Sequence, residues 1–211
     1  ISEREFLKRS EYFKRWGFDY NLYKPILDFA KEKKIPVIAL NIRREIIDKV
    51  SKNGIDSLSY EEKNEIPSQM DFSDNEYRER LKKVFEMHER LKQMNKEKNF
   101  EFFYQSQILW DETMAMSVDE FLKKNPDYQM VVLAGGGHIQ YGSGIPKRTF
   151  RRNGYDYAII LNDVNIERNI ADYIIFPKPI EGITAPKLMV LLKEADGIVS
   201  IEGFAENSVS E

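Results

Sequence analysis

One loop concentrates the residue types that can do chemistry. Gly135-Gly136-Gly137-His138 is followed by Tyr141, Gly142, Gly144 and Pro146-Lys147-Arg148, and five of the chain's eleven glycines lie between 135 and 144. Glycine at that density lets the backbone take positive φ and lets a ligand approach it closely. His138, one of two histidines, offers an imidazole as ligand or general base. Tyr141 offers a phenolate, a hard donor for ferric iron and one of the recognised axial ligands of haem. Lys147 and Arg148 suit carboxylates such as haem propionates, the arginine in bidentate fashion. Each has a plainer alternative: a turn histidine bonded to backbone, a packed aromatic, solvated loop charges. A phosphate cradle is not supported, because there is no Walker lysine-serine pair and the glycines lack the dinucleotide spacing.

A second set lies on the helix expected from about 100 to 124. Gln107, Asp111 and Met114 are spaced at four and three and share one face, with Trp110 one turn from Met114. They read either as a core-facing stripe with polar residues that cap loops, or as one wall of a site. A buried Asp111 needs a partner, and Arg148 or His138 is the candidate. Glu112 points elsewhere by about 100 degrees. His88, within Glu86-Met87-His88-Glu89-Arg90, reads as a partly exposed helix residue.

The elements that must position these residues follow from apolar spacing. Helices are expected over 3–15, 21–34, 44–52 and from Asp74, an N-cap, through Leu91, the last pairing with the helix over 100–124 as a hairpin. Short apolar runs at Val37–Leu40, Met130–Ala134, Tyr157–Leu161 and Tyr173–Phe176 read as buried strands of the parallel kind. The fold class expected is α/β, a mainly parallel sheet flanked by helices with a helical hairpin subdomain at about 74–125. In such sheets the ligand site lies beyond the carboxyl ends of the strands, where Asn41 and His138 both stand. Beyond Pro186 the pattern changes to two strands, Leu188–Leu192 and Ile198–Ile201, around Ala195-Asp196-Gly197, which is antiparallel hairpin logic.

Composition narrows the chemistry. With no cysteine among 211 residues, thiol nucleophiles, thiolate zinc and iron–sulfur clusters are excluded, so metal chemistry falls to His, Tyr, Met and carboxylates. Thirty-two Lys and Arg against 35 Asp and Glu give no electrostatic footprint for nucleic acid. No apolar run approaches the roughly 18 residues of a membrane span, and the first residue, Ile1, reads as the start of a trimmed or processed piece.

Four separated motifs carry a resemblance. Tyr23-Lys24-Pro25-Ile26-Leu27 with Ala30, Ile35-Pro36-Val37-Ile38-Ala39-Leu40-Asn41 with Arg44, Gln107 to Ala115, and the Gly-Gly-Gly-His to Gly-Ile-Pro-Lys-Arg loop together resemble the ChaN-like haem-binding uptake family, over about 12–178. The resemblance implies an α/β domain, here 1–182, that binds haem or a related small molecule for haem or iron uptake. The implied setting is the cell envelope, periplasmic or held by a lipid anchor outside this chain, and the partners implied include a second copy in a homodimer. The residues it nominates are Tyr141 and His138 for the iron, with Arg148, Gly135, Gly136, Gly137, Asn41, Arg44, Gln107, Asp111 and Met114 around the cofactor. The wider superfamily is similar to the Tiki proteases and erythromycin esterases, so a metal-dependent hydrolase is the alternative. Two departures stand out: the family's opening strand with Gly-Glu-x-His is not in this sequence, and its Asn-x-Pro-Arg reads Asn41-Ile42-Arg43-Arg44. The segment 183–211 resembles the start of a PDZ domain, which implies a peptide partner for a complete module and a scaffold role as a third reading.

Overall fold

In the computed structural model, residues 1–16, 18–92, 99–178, 190–195 and 198–204 are described, those at 88–92, 190–195, 198–199 and 201–204 by backbone alone. The chain divides into two compact units, Ile1–Ile175 and Phe176–Glu211.

The first unit is mainly helical. It opens with α1 (Glu3–Arg9), α2 (Tyr12–Arg15) and α3 (Tyr20–Glu32). The single helix expected over 3–15 is broken because Glu11 turns into the left-handed region, φ 50°. Asp19 caps α3 by accepting the Asn21 N–H at 2.9 Å. Then come α4 (Arg44–Asn53), which stops at Gly54 with φ 79°, and the short α5 (Tyr60–Lys63) with a complete capping box from Ser59 and Glu62.

Two long helices follow. α6 (Asn75–Lys92) is capped by Asp74, whose Oδ1 accepts the Tyr77 N–H at 2.9 Å. α7 (Phe100–Lys124) is capped by Asn99, which accepts the Glu101 N–H at 2.8 Å. Phe85 meets Phe100 and Phe103 near one end while Tyr77 reaches Asp111 farther along, so the pair runs antiparallel as the expected hairpin. α7 is more than one arm of that hairpin. It contributes Tyr104 and Ile108 to a cluster with Tyr77 and Leu81, and Leu109 to another with Ile46, Ile47, Val50 and Leu58. Each of these side chains contributes about 1.5–3 kcal/mol by leaving water. With partners on several sides, α7 buries apolar residues around much of its circumference, and Ser106, Asp111, Glu112, Thr113 and Asp119 are carried into the interior with them.

After α7 the chain passes through the glycine loop into α8 (Ile145–Asn153), then β1 (Ile160–Asn162) and β2 (Tyr173–Ile175). β1 and β2 pair in parallel, Leu161 opposite Ile174, and Ile159, Leu161 and Ile170 form a third cluster on which Ile139 and Tyr141 rest. In the second unit β3 (Val190–Ala195) and β4 (Ile198–Phe204) form the antiparallel ladder expected there; Asp196 and Gly197 at its turn lie outside the described residues. No helix among the described residues is long and apolar enough to cross a membrane.

The parallel sheet is smaller than the sequence predicts. Val37–Leu40 and Met130–Ala134 join no ladder among the described residues, and the parallel sheet consists of β1 and β2. Val37 is 63% exposed and Val131 87%. An apolar run carries strand propensity, but a strand exists only through the neighbour that takes its N–H and C=O groups. No described segment plays that part for these two runs.

Candidate functional site

The site is built where α6, α7 and the glycine loop meet. Asp111 and Glu112, consecutive on α7, are both wholly buried, and each gathers its own polar set.

Asp111 is the first centre. Its Oδ1 lies 2.7 Å from His138 Nδ1 and its Oδ2 accepts the Tyr77 hydroxyl at 2.7 Å. An ionised carboxylate only accepts, so Nδ1 is the donor of this bond and Nε2 is the ring nitrogen that Asp111 does not engage. The His138 side chain is 22% exposed. Trp110 meets its ring edge-on at a centroid distance of 5.7 Å. Burial, and then the Asp111 charge, push the Tyr77 phenol far above its ordinary pKa, so Tyr77 stays a donor.

The loop is shaped to hold His138 there. Gly136–His138 form one turn of 3₁₀ helix, closed by the His138 N–H on Gly135 O at 2.9 Å. Gly135, Gly136 and Gly137 do not use positive φ; Tyr141 at 57° and Gly142 at 71° do. A Cβ at Gly144 would overlap the His138 backbone carbonyl, whereas one at Gly137 would meet nothing.

Glu112 is the second centre. It receives Arg151 at 2.8 Å, Arg152 at 2.6 Å and the Asp71 N–H at 2.8 Å, and Arg148 Nε lies 3.2 Å from its Oε1. Three guanidiniums compensate the desolvation of one carboxylate. Arg148 is buried, and its other nitrogens donate to the carbonyls of Ser143, Gly144 and Asp71. Asp71, beside this cluster, is held below its ordinary pKa by the Ser73 hydroxyl and N–H, with help from Arg148 and Arg151.

The remaining nominees fall as follows. Tyr141 donates its hydroxyl to Glu167 at 2.6 Å, and that bond raises its pKa. Met114 is buried and Gln107 half-buried on the Asp111 face of α7. Asn41 is exposed; the carbonyl of its neighbour Leu40 accepts the Ser117 hydroxyl at 2.9 Å, which ties that segment to α7. Arg44 is exposed and pairs with Asp48 at 3.6 Å. Lys147 pairs with Asp74 at 2.9 Å. The His88 side chain lies outside the described residues. The structure thus joins His138 to Asp111, as one of the two partners expected, and commits Arg148 to Glu112 and backbone.

Four participants were not nominated by sequence reasoning: Tyr77, Arg80, Glu112 and Glu167. A signal existed for three. Tyr77 and Arg80 stand one turn apart on the face of α6 that carries Leu81, and Glu112 shares its helix face with Ile108 and Ala115 at spacings of four and three. Glu167 lies in an irregular segment with no period to read.

The sequence model of a family described as haem-binding uptake, Tiki superfamily, ChaN matches residues 1–149. No curated protein and no solved structure matches. The family match ends before 183–211 and lends no support to a PDZ start there.

Proposed function

Because the chain belongs to the ChaN haem-binding uptake family of the Tiki superfamily, we propose that it binds haem with Nε2 of His138 on the iron. The observation that carries this is the 2.7 Å bond from His138 Nδ1 to wholly buried Asp111. A histidine that ligates through one nitrogen is oriented and made more basic when the other donates to a carboxylate. Haem, when bound, would supply an iron able to take a protein donor, and His138 would be the residue to hold it.

The chain's own residues fit that group. Tyr77 holds Asp111 from the far side, Trp110 offers an aromatic edge beside the imidazole, and exposed Val131 and Leu133 lie in the segment that leads into the loop. Tyr141 is the weaker donor, since a phenol that gives its proton to Glu167 resists becoming a phenolate. The same dyad has the form of a general base. A metal-dependent hydrolase, however, needs a ligand set, and no group of three or more His, Asp or Glu among the described residues could hold a metal ion. Uptake at the cell envelope is the wider setting of this proposal and rests on the family.

Titration of the protein with hemin, followed by the Soret band, tests it. The expected result is a saturable shift in wild type and Tyr141→Phe that His138→Ala abolishes or changes in shape. An unshifted band in wild type, or one in His138→Ala identical to wild type, overturns it.

A further inference from the structure

We infer that Arg80 is the anion-recognising residue of the His138 site, and that the ligand carries a carboxylate which this guanidinium binds. The inference rests on the haem reading and names the group that grips the porphyrin's acidic edge.

Arg80 projects from α6 across the glycine loop. Its guanidinium lies 4.5 Å from the ring centroid of Tyr141 and 5.8 Å from that of Tyr77, and it donates to the Ser143 hydroxyl. Both aromatic neighbours belong to the site. Tyr77 donates to the Asp111 that orients His138, and Tyr141 follows His138 by one turn of the same loop.

What distinguishes Arg80 from Arg78, Arg148 and Arg152, the other arginines at least partly buried among the described residues, is charge balance. Its neighbour Arg78 pairs with Glu101, and Arg148, Arg151 and Arg152 share Glu112. Among the described residues no carboxylate lies within ion-pair distance of Arg80. Two carboxylates bordering the same residues are engaged elsewhere: Asp74 holds Lys147 at 2.9 Å and Glu167 accepts the Tyr141 hydroxyl at 2.6 Å. A half-buried guanidinium between tyrosine rings, with donors to spare and no ion-paired carboxylate among the described residues, Asp74 feeling its charge only from beyond contact, is prepared for a planar anion, and carboxylate matches its fork. Arg148, expected from sequence to meet the propionates, is used up within the fold.

Hemin and hemin dimethyl ester, whose propionates are esterified, are titrated against wild type and Arg80→Gln by Soret absorbance, with circular dichroism as the folding check. Wild type is expected to favour hemin over the ester by roughly ten- to hundredfold, and Arg80→Gln to bind both alike, while His138→Ala loses the Soret signature with either. Equal affinity of wild type for the two, or a preference kept in Arg80→Gln, overturns the role of Arg80 and leaves the haem reading standing. No Soret shift in wild type with either probe overturns both. The wild-type ratio needs no substitution and stands if the variant misfolds.

Discussion

Glu112 shows how one buried charge organises its neighbourhood. Its carboxylate is the common acceptor for three guanidiniums drawn from a single turn of α8 and for the N–H of Asp71. The net gain of such a cluster over an apolar core is small, because desolvation offsets the attraction, but removal of one partner leaves the others buried and uncompensated. Glu112→Gln is therefore expected to lower unfolding free energy by about 3–5 kcal/mol, measured by urea denaturation at neutral pH. A loss near zero would show that water reaches the cluster. Asp71, beside it, carries a pH signature. Its folded pKa lies below its unfolded value near 3.9, so it contributes stability above that pH and loses the contribution as pH falls through the folded value. Asp71→Asn should lower stability at pH 7 and make the acid limb of a stability–pH curve shallower below about pH 4. An unchanged slope counts against the assignment.

The glycine loop works as an element because its few constraints fall at particular positions. The triplet 135–137 precedes the histidine, yet the positions that demand glycine are Gly144, whose Cβ would overlap the His138 carbonyl, and Gly142, whose φ is positive and whose Cβ would meet the Tyr157 hydroxyl at 3.0 Å. Gly144→Ala should displace the turn that presents His138, reduce hemin affinity and lower the melting temperature. Gly137→Ala should leave the melting temperature within the few degrees that about 0.5 kcal/mol represents. Differential scanning calorimetry on the two variants decides between this and a loop in which the triplet itself is the constraint. Tyr141 makes the same point from the other side. It occupies the left-handed region without being glycine, held by its N–H on Ile170 O at 2.9 Å and its hydroxyl on Glu167.

At the scale of the first unit, two of the three buried apolar clusters are built on α7 with α4 and α6, and the parallel sheet among the described residues has two strands. Val50 is wholly buried in the α4–α7 cluster, whereas Val37 and Val131 face solvent. Val50→Thr should cost about 1–3 kcal/mol, the price of an unpartnered hydroxyl in the interior. Val37→Thr and Val131→Thr should stay within about 0.5 kcal/mol. Denaturant titration of the three separates a core-forming strand from an exposed segment, and a large loss at Val131 would restore the larger sheet.

Much of the helical layout was legible because it depends on local signals. α7 runs from Phe100 to Lys124 and Asp74 caps α6, as apolar spacing and cap chemistry indicate. The face that joins Asp111 to the site was legible from spacings of four and three. The sheet was not, since ladder formation depends on a second segment that a local apolar run does not specify. Nor were the partners of Glu112, since helix spacing turns it away from Asp111 but does not specify that three arginines of α8 meet it.

By itself the sequence determined the chemical vocabulary. There is no thiol, two histidines are present, and one of them stands in a glycine loop after an apolar run. The tertiary structure alone decided who partners whom: Asp111 with His138, Arg148 with Glu112, and Arg80 with no carboxylate among the described residues. The physical reason is that helix periodicity and caps act over a few residues along the chain. The worth of a charge is set by burial and by groups tens of positions away, and these meet only when the helices pack.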